Sequence, residues 1–155
     1  MNIVLLEPEI PPNTGNIARL CAATRTQLHL IEPLGFDLGD RELKRAGMDY
    51  WRQVVWRRWS DWEHFAATVP LGANLWMVEQ GAPRRYFDAV FNPEDYLVFG
   101  RETAGIPRAL LERHRDTWIR LPMLNPEARS LNLSNCAAIV LFEALRQVGF
   151  GGECA

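Results

Sequence analysis

The chain is short of cysteine and almost without lysine. Cys21, Cys136 and Cys154 form no CxxC pair, and the first two fall on apolar faces of expected helices, where a reduced thiol packs like a small hydrophobe. A disulfide framework is therefore not expected. His29, His64 and His114 lack acidic or thiol neighbours at ligand spacing, so no metal site is expected either. No apolar run approaches the length of a membrane span. Met1 leads directly into a strand-like stretch and Glu7-Pro8-Glu9 rather than into a basic, cleavable leader, which makes the cytoplasm the expected location and leaves no membrane partner. Basic charge is carried by 16 arginines and the single Lys44. Arginine suits bidentate phosphate contacts, but a coding bias explains the same ratio and is given more weight.

What is present describes an ordinary globular chain. Its 155 residues, 48% hydrophobic and 23% charged with a formal net charge of −2, fill one core comfortably and two poorly. One domain over residues 1–150 is expected, with 151–155 as a loose tail. The charge balance does not announce a nucleic-acid protein, although basic patches occur on acidic chains.

Hydrophobic periodicity organises the rest. Ile3-Val4-Leu5-Leu6 is a continuous apolar run of the kind found in a parallel strand covered on both faces. After Pro8, Pro11 and Pro12, Asn13-Thr14-Gly15-Asn16 opens a helix with Ile17, Leu20, Cys21 and Thr24 on one face and Arg19 opposite. Further strands are expected at Leu28–Ile31, Val54–Trp56, Leu75–Val78, Tyr96–Phe99 and Trp118–Leu121. Shorter helices are expected at about 40–46, after the capping pattern Ser60-Asp61-Trp62-Glu63 as far as about Val69, and from Pro107 to about Arg113. A long final helix, roughly Asn132 to Val148, carries Leu133, Ala137, Val140, Leu141, Ala144 and Leu145 on one face and stops at Gly149. Strand and helix alternating six times indicate an α/β fold with a mainly parallel sheet and helices on both faces, whose ligands sit beyond the carboxyl ends of the strands.

Three loops at that end stand out. The first holds Asn13 to Arg19, the second Gly100-Arg101-Glu102-Thr103-Ala104-Gly105, the third Arg129-Ser130-Leu131-Asn132-Leu133-Ser134-Asn135. The second has the glycine spacing of a phosphate loop, yet Ile106-Pro107 stands where a Walker motif needs Lys and Ser or Thr, which excludes an NTPase. No G-x-G-x-x-G follows a strand, and neither Ser130 nor Ser134 has a nucleophile elbow or a nearby His. Taken singly, the glycines read as a tight turn or as a backbone wall for a flat ligand. Ser130 to Asn135 reads as a helix cap or as an open ligand edge. Val78 and Leu121 read as core. Between residues 41 and 62, Arg41, Lys44, Arg45, Arg52, Arg57 and Arg58 interleave with Tyr50, Trp51, Trp56, Trp59 and Trp62. That pattern serves either to grip single-stranded RNA or to form a solvated face beside core tryptophans. Arg84 and Arg85 repeat the signal more weakly.

In order, Asn13-Thr14-Gly15-Asn16-Ile17-Ala18-Arg19, Phe99-Gly100-x-Glu102-x-x-Gly105 and Arg129 to Asn135 resemble the three motifs of the SPOUT class of RNA 2′-O-methyltransferases. The likeness runs from Asn2 to about Phe150. Glu7-Pro8-Glu9-Ile10-Pro11-Pro12 resembles most the branch that modifies the wobble nucleotide 34 of leucine tRNAs. The resemblance implies a C-terminal trefoil knot, a homodimer, the anticodon loop of a tRNA as partner and S-adenosyl-L-methionine as cofactor, with S-adenosyl-L-homocysteine as product. It implies cofactor contacts at Val78, Gly100, Leu121, Ser130, Leu131 and Asn135. It casts Arg19 as the residue acting on the ribose hydroxyl, with Glu102, Ser130 and Asn132 in support. Arg101 replaces a proline common in the second motif, and the loop from Met123 to Ala128 is one residue longer than expected. The alternatives are the same chemistry at another RNA site, or a noncatalytic RNA-binding module on this fold.

Overall fold

A computed structural model describes residues 1–39, 51–128 and 130–153. The helix expected at about 40–46 and the basic residues Arg41, Lys44 and Arg45 lie outside the described residues. Seven strands form one sheet: β1 (Asn2–Leu6), β2 (Gln27–Ile31), β3 (Trp56–Trp59), β4 (Leu75–Val78), β5 (Arg84–Arg85), β6 (Tyr96–Phe99) and β7 (Trp118–Arg120). Their order is β3-β2-β1-β6-β4-β7-β5, and every pairing is parallel. Among the described residues four α-helices accompany the sheet: α1 (Pro11–Thr24), α2 (Trp62–Ala66), α3 (Arg108–Arg113) and α4 (Leu133–Val148).

Side-chain alternation sorts the strands onto two cores, as a sheet covered on both sides requires. Ile3, Leu5, Leu97 and Phe99 face one layer with Ile17 and Cys21 of α1 and Ala137, Val140, Leu141 and Ala144 of α4. Val4, Leu6, Met77 and Val98 face the other, closed by Phe65 of α2 and Leu110 and Leu111 of α3. The two long helices thus share one face, and α1 packs directly on α4.

The elements depart from the sequence-based expectations at several places, among them the start of α1 at Pro11 rather than Asn13 and the end of α2 at Ala66 rather than near Val69. β3 begins at Trp56 and not at Val54. Val54 is buried in the core while Val55 is 65% exposed, and Val55 O accepts from Leu28 N at 2.9 Å just ahead of the ladder. β5 is a two-residue edge strand with both arginines exposed, and it carries no apolar signal to reveal it. α2 is capped by Asp61 rather than Ser60, because the Asp61 carboxylate accepts the His64 N–H at 2.8 Å.

The ends of the long helices bear on the site. α1 starts with Pro11 and Pro12 in its first turn, positions where the missing N–H costs nothing. α4 is capped at its start by Asn132, whose Oδ1 accepts from Ser134 N at 2.9 Å and Ser134 Oγ at 2.7 Å. It ends at Gly149, left-handed at φ 89°. At the opposite end of the sheet, fully buried Asp95 accepts from Trp76 Nε1 at 2.7 Å, Asn74 N at 2.8 Å and Asn92 N at 2.9 Å, which ties the bottoms of β4 and β6 together.

Candidate active site

Beyond the carboxyl ends of β1, β6, β4 and β7 lies a cavity of about 750 Å³, within the range of small-molecule and cofactor sites. Three kinds of wall enclose it. Val78, Phe99, Leu121 and Leu133 supply an apolar strip. The loop Gly100 to Gly105 supplies backbone, and Ser130, Asn132, Asn13, Glu79 and Gln80 supply polar edges.

Chain packing explains the second loop. A Cβ on Gly100 would lie 2.1 Å from the carbonyl carbon of Gly105 and 2.3 Å from Ile106 N. Only a residue without one allows the loop to fold back on itself. Gly105 adopts φ +66°, and a Cβ there would lie 2.2 Å from Glu79 Oε2. The loop is closed by an N–H from Gly105 to Arg101 O at 2.8 Å and pinned by Ile106 N donating to Glu79 Oε2 at 2.9 Å. The tight-turn reading of these glycines holds, and the turn leaves bare backbone along the cavity.

The three loops are tied together through side chains. Glu102 Oε2 accepts from Glu9 N at 2.9 Å; its Oε1 accepts from Ile10 N at 3.3 Å and from Asn13 Nδ2 at 3.0 Å. Its carboxylate thereby satisfies donors at the entrance of α1, where the positive end of the helix dipole favours an acid. In return, Glu9 accepts from Thr103 N at 3.0 Å and from Thr103 Oγ1. The Thr103 hydrogen bonds hold the Glu9 carboxyl below its ordinary pKa. Asn132 Nδ2 donates to Asn13 Oδ1 at 2.9 Å, joining the start of α4 to the start of α1. Arg101, where the resembled motif has proline, forms an ion pair with Glu7 and so adds a tie between the same two loops.

Of the residues expected to form the site, Val78, Gly100, Leu121, Glu102, Ser130, Leu131 and Asn132 all line the cavity. Val78 and Leu121 are also core, 7% and 5% exposed, because strand-end side chains serve both. Asn135 and Arg19 are exposed and are not among the lining residues. Arg19 sits six residues after Asn13, roughly 9 Å further along the helix axis at 1.5 Å per residue. Residues that sequence reasoning passed over are Asn13, Glu9, Glu79 and Gln80. Asn13 led a recognised motif, whereas Glu79 is an acid after a strand with no local signal.

The tryptophans of the basic stretch belong to the fold. Trp51 and Trp56 lie 4.5 Å apart between ring centroids, tilted at 44°, against the first core, and Trp59 and Trp62 pack against the second. Among the described residues no group of three or more His, Cys, Asp or Glu is placed to hold a metal ion, and no helix is long and apolar enough to cross a membrane.

The SpoU rRNA Methylase family matches residues 1–142. The chain belongs to this family. A relative, the tRNA (cytidine(34)-2′-O)-methyltransferase of Burkholderia pseudomallei (strain 1106a), is 51% identical over 97% of each chain. A solved structure described as giving insights into 2-OH methylation of C/U34 on tRNA is 41% identical, superposes at a TM-score of 0.89 and covers 95% of both chains. An AdoMet-bound rRNA methyltransferase from Sinorhizobium meliloti is 25% identical at a TM-score of 0.82, over 95% of this chain and 56% of that one.

Proposed function

We propose that the protein methylates the ribose 2′-hydroxyl of the wobble nucleotide, cytidine or uridine 34, of tRNA, with leucine tRNAs as its substrates and S-adenosyl-L-methionine as methyl donor. The observation that carries this reading is the Glu102–Asn13–Asn132 chain, which gathers all three SpoU loops around one cavity. The cavity fits the donor on structural grounds: its volume suits a nucleoside derivative, its strip of Val78, Phe99, Leu121 and Leu133 suits a purine, and the Gly100–Gly105 backbone admits a flat ring closely.

When bound, S-adenosyl-L-methionine supplies an electrophilic methyl group on its sulfonium, transferred to the 2′-oxygen with S-adenosyl-L-homocysteine left behind. The work of the protein is alignment and management of the hydroxyl proton. Gly100, Ser130 and Leu131 hold the donor. Glu102 and Asn132 keep the loops in register through Asn13. Arg19 acts as a cation that positions the ribose and stabilises negative charge developing on its oxygen. Guanidinium retains its proton too firmly to serve readily as a base.

Arg19 stands outside the cavity of its own chain, which supports a homodimer in which the RNA site is completed between subunits. Residues 1–150 then act as one catalytic domain with a C-terminal trefoil knot, followed by a short tail, in the cytoplasm where tRNA is modified. The test is transfer of radiolabelled methyl groups from S-adenosylmethionine to tRNA by the purified protein, together with calorimetry using S-adenosylhomocysteine. Binding with transfer is expected. Absence of both would leave a noncatalytic module.

A further inference from the structure

Two carboxylates line the cavity, and they differ in how much of their accepting capacity is used. Glu102 receives three donors, Glu9 N, Ile10 N and Asn13 Nδ2. Glu79 receives two, one on each oxygen: Gln80 N donates to Oε1 at 2.9 Å and Ile106 N donates to Oε2 at 2.9 Å. Each oxygen of a carboxylate has room for two donors, so each oxygen of Glu79 retains one open acceptor site. Among the described residues no arginine or lysine forms an ion pair with it.

Glu79 is also rigidly placed. Its backbone N–H donates to Ile119 O at 3.0 Å and its carbonyl accepts from Trp118 Nε1 at 3.1 Å, which fixes it between β4 and β7. The carboxylate reaches over Gly105, as the 2.2 Å approach of a Cβ there shows. Across the cavity stands Cys136 of α4, whose thiol pKa is raised by burial and then by the charge of Glu79.

We infer that Glu79 binds the ribose of the methyl donor, its two oxygens accepting one hydrogen bond each from the 2′- and 3′-hydroxyls. A vicinal diol presents two adjacent O–H donors, the complement of two adjacent acceptors each with one site open. An acid at the carboxyl end of a strand takes a ribose hydroxyl in the same way in dinucleotide-binding sheets. This inference rests on the proposed use of S-adenosylmethionine.

The test is calorimetry on the full-length protein and Glu79→Gln with two ligands, S-adenosylhomocysteine and its 2′,3′-dideoxyribose analogue. The wild type should bind the dideoxy analogue about tenfold or more weakly than S-adenosylhomocysteine, the loss expected for hydrogen bonds to a charged acceptor. Glu79→Gln should lower affinity for S-adenosylhomocysteine by a similar factor and leave the dideoxy analogue within about twofold of wild type. Equal weakening of both ligands by the variant would make Glu79 a clasp for the Gly105–Ile106 turn and overturn the inference. Equal binding of both ligands by the wild type would overturn it regardless of how the variant folds. If the wild type binds neither ligand, the cofactor reading itself falls, and the inference with it.

Discussion

Asn132 Nδ2 donates to Asn13 Oδ1 at 2.9 Å across 119 positions of sequence, and the other end of the Asn13 amide donates to Glu102 at 3.0 Å. One 5% exposed side chain therefore holds the starts of both long helices and the second loop in a single arrangement. Replacing Asn13 by Ala removes two partners at once and leaves the Asn132 amide and one Glu102 oxygen short of a contact. The variant should lose about 1–3 kcal/mol of stability and roughly one to two orders of magnitude in kcat/KM, measured by urea unfolding and by methyl transfer to tRNA.

Gly100 has no space for a methyl group, since its Cβ would lie 2.1 Å from the Gly105 carbonyl carbon. The clash is with backbone, which cannot rotate aside. Gly100→Ala should weaken S-adenosylhomocysteine binding by more than about tenfold and cost about 1–3 kcal/mol. Gly151→Ala, where a Cβ meets nothing within 4 Å, serves as the control and should leave calorimetric affinity unchanged.

Arg19 is exposed on α1 and does not line the cavity. Its proposed part is played on the RNA. Arg19→Ala should keep S-adenosylhomocysteine affinity within about twofold and lose about three orders of magnitude or more in methylation. Near-normal turnover would remove it from the mechanism.

His29 is buried at 4% exposure among Trp59, Phe65 and Tyr96. Trp59 Nε1, which only donates, donates to His29 Nδ1 at 3.1 Å, so the ring proton sits on Nε2, facing Asn2 Oδ1 at 3.4 Å. Burial, with the nearby Arg57 charge, lowers its pKa from 6.5 to about 4. Between those values the unfolded chain binds a proton that the folded chain refuses, so stability falls as pH drops through this window and the loss levels off below about pH 4. The total approaches about 3 kcal/mol. Urea unfolding from pH 7 to 4 should show this slope, and His29→Gln should flatten it.

Much of this arrangement is legible in the sequence, because β1, β4 and β6 are buried on both faces and read as unbroken apolar runs. The helix faces of Ile17 and Cys21 and of Ala137 to Ala144 are equally plain. What escapes is set by tertiary contact. Arg84–Arg85 becomes a strand only because β7 offers it an edge, and Val54 is core while outside the ladder. The basic and aromatic stretch leaves an RNA grip and a solvated face beside core tryptophans equally open in the sequence, and only the tertiary structure places Trp51, Trp56, Trp59 and Trp62 against the cores. Within the site, the motifs mark the loops, but the bonds joining Glu102, Asn13 and Asn132 span 89 and 119 positions. Glu79 gains its place from the Gly105 turn, 26 residues further on by its number.

The position of the transferred methyl group is the most direct readout of the proposed function. Transfer RNA should be incubated with the purified protein and S-adenosylmethionine, digested to oligonucleotides and read by mass spectrometry. A single added methyl on the ribose of nucleotide 34 in leucine tRNAs is expected. A ribose methyl at another position, or an unmodified nucleotide 34, would contradict the proposed function.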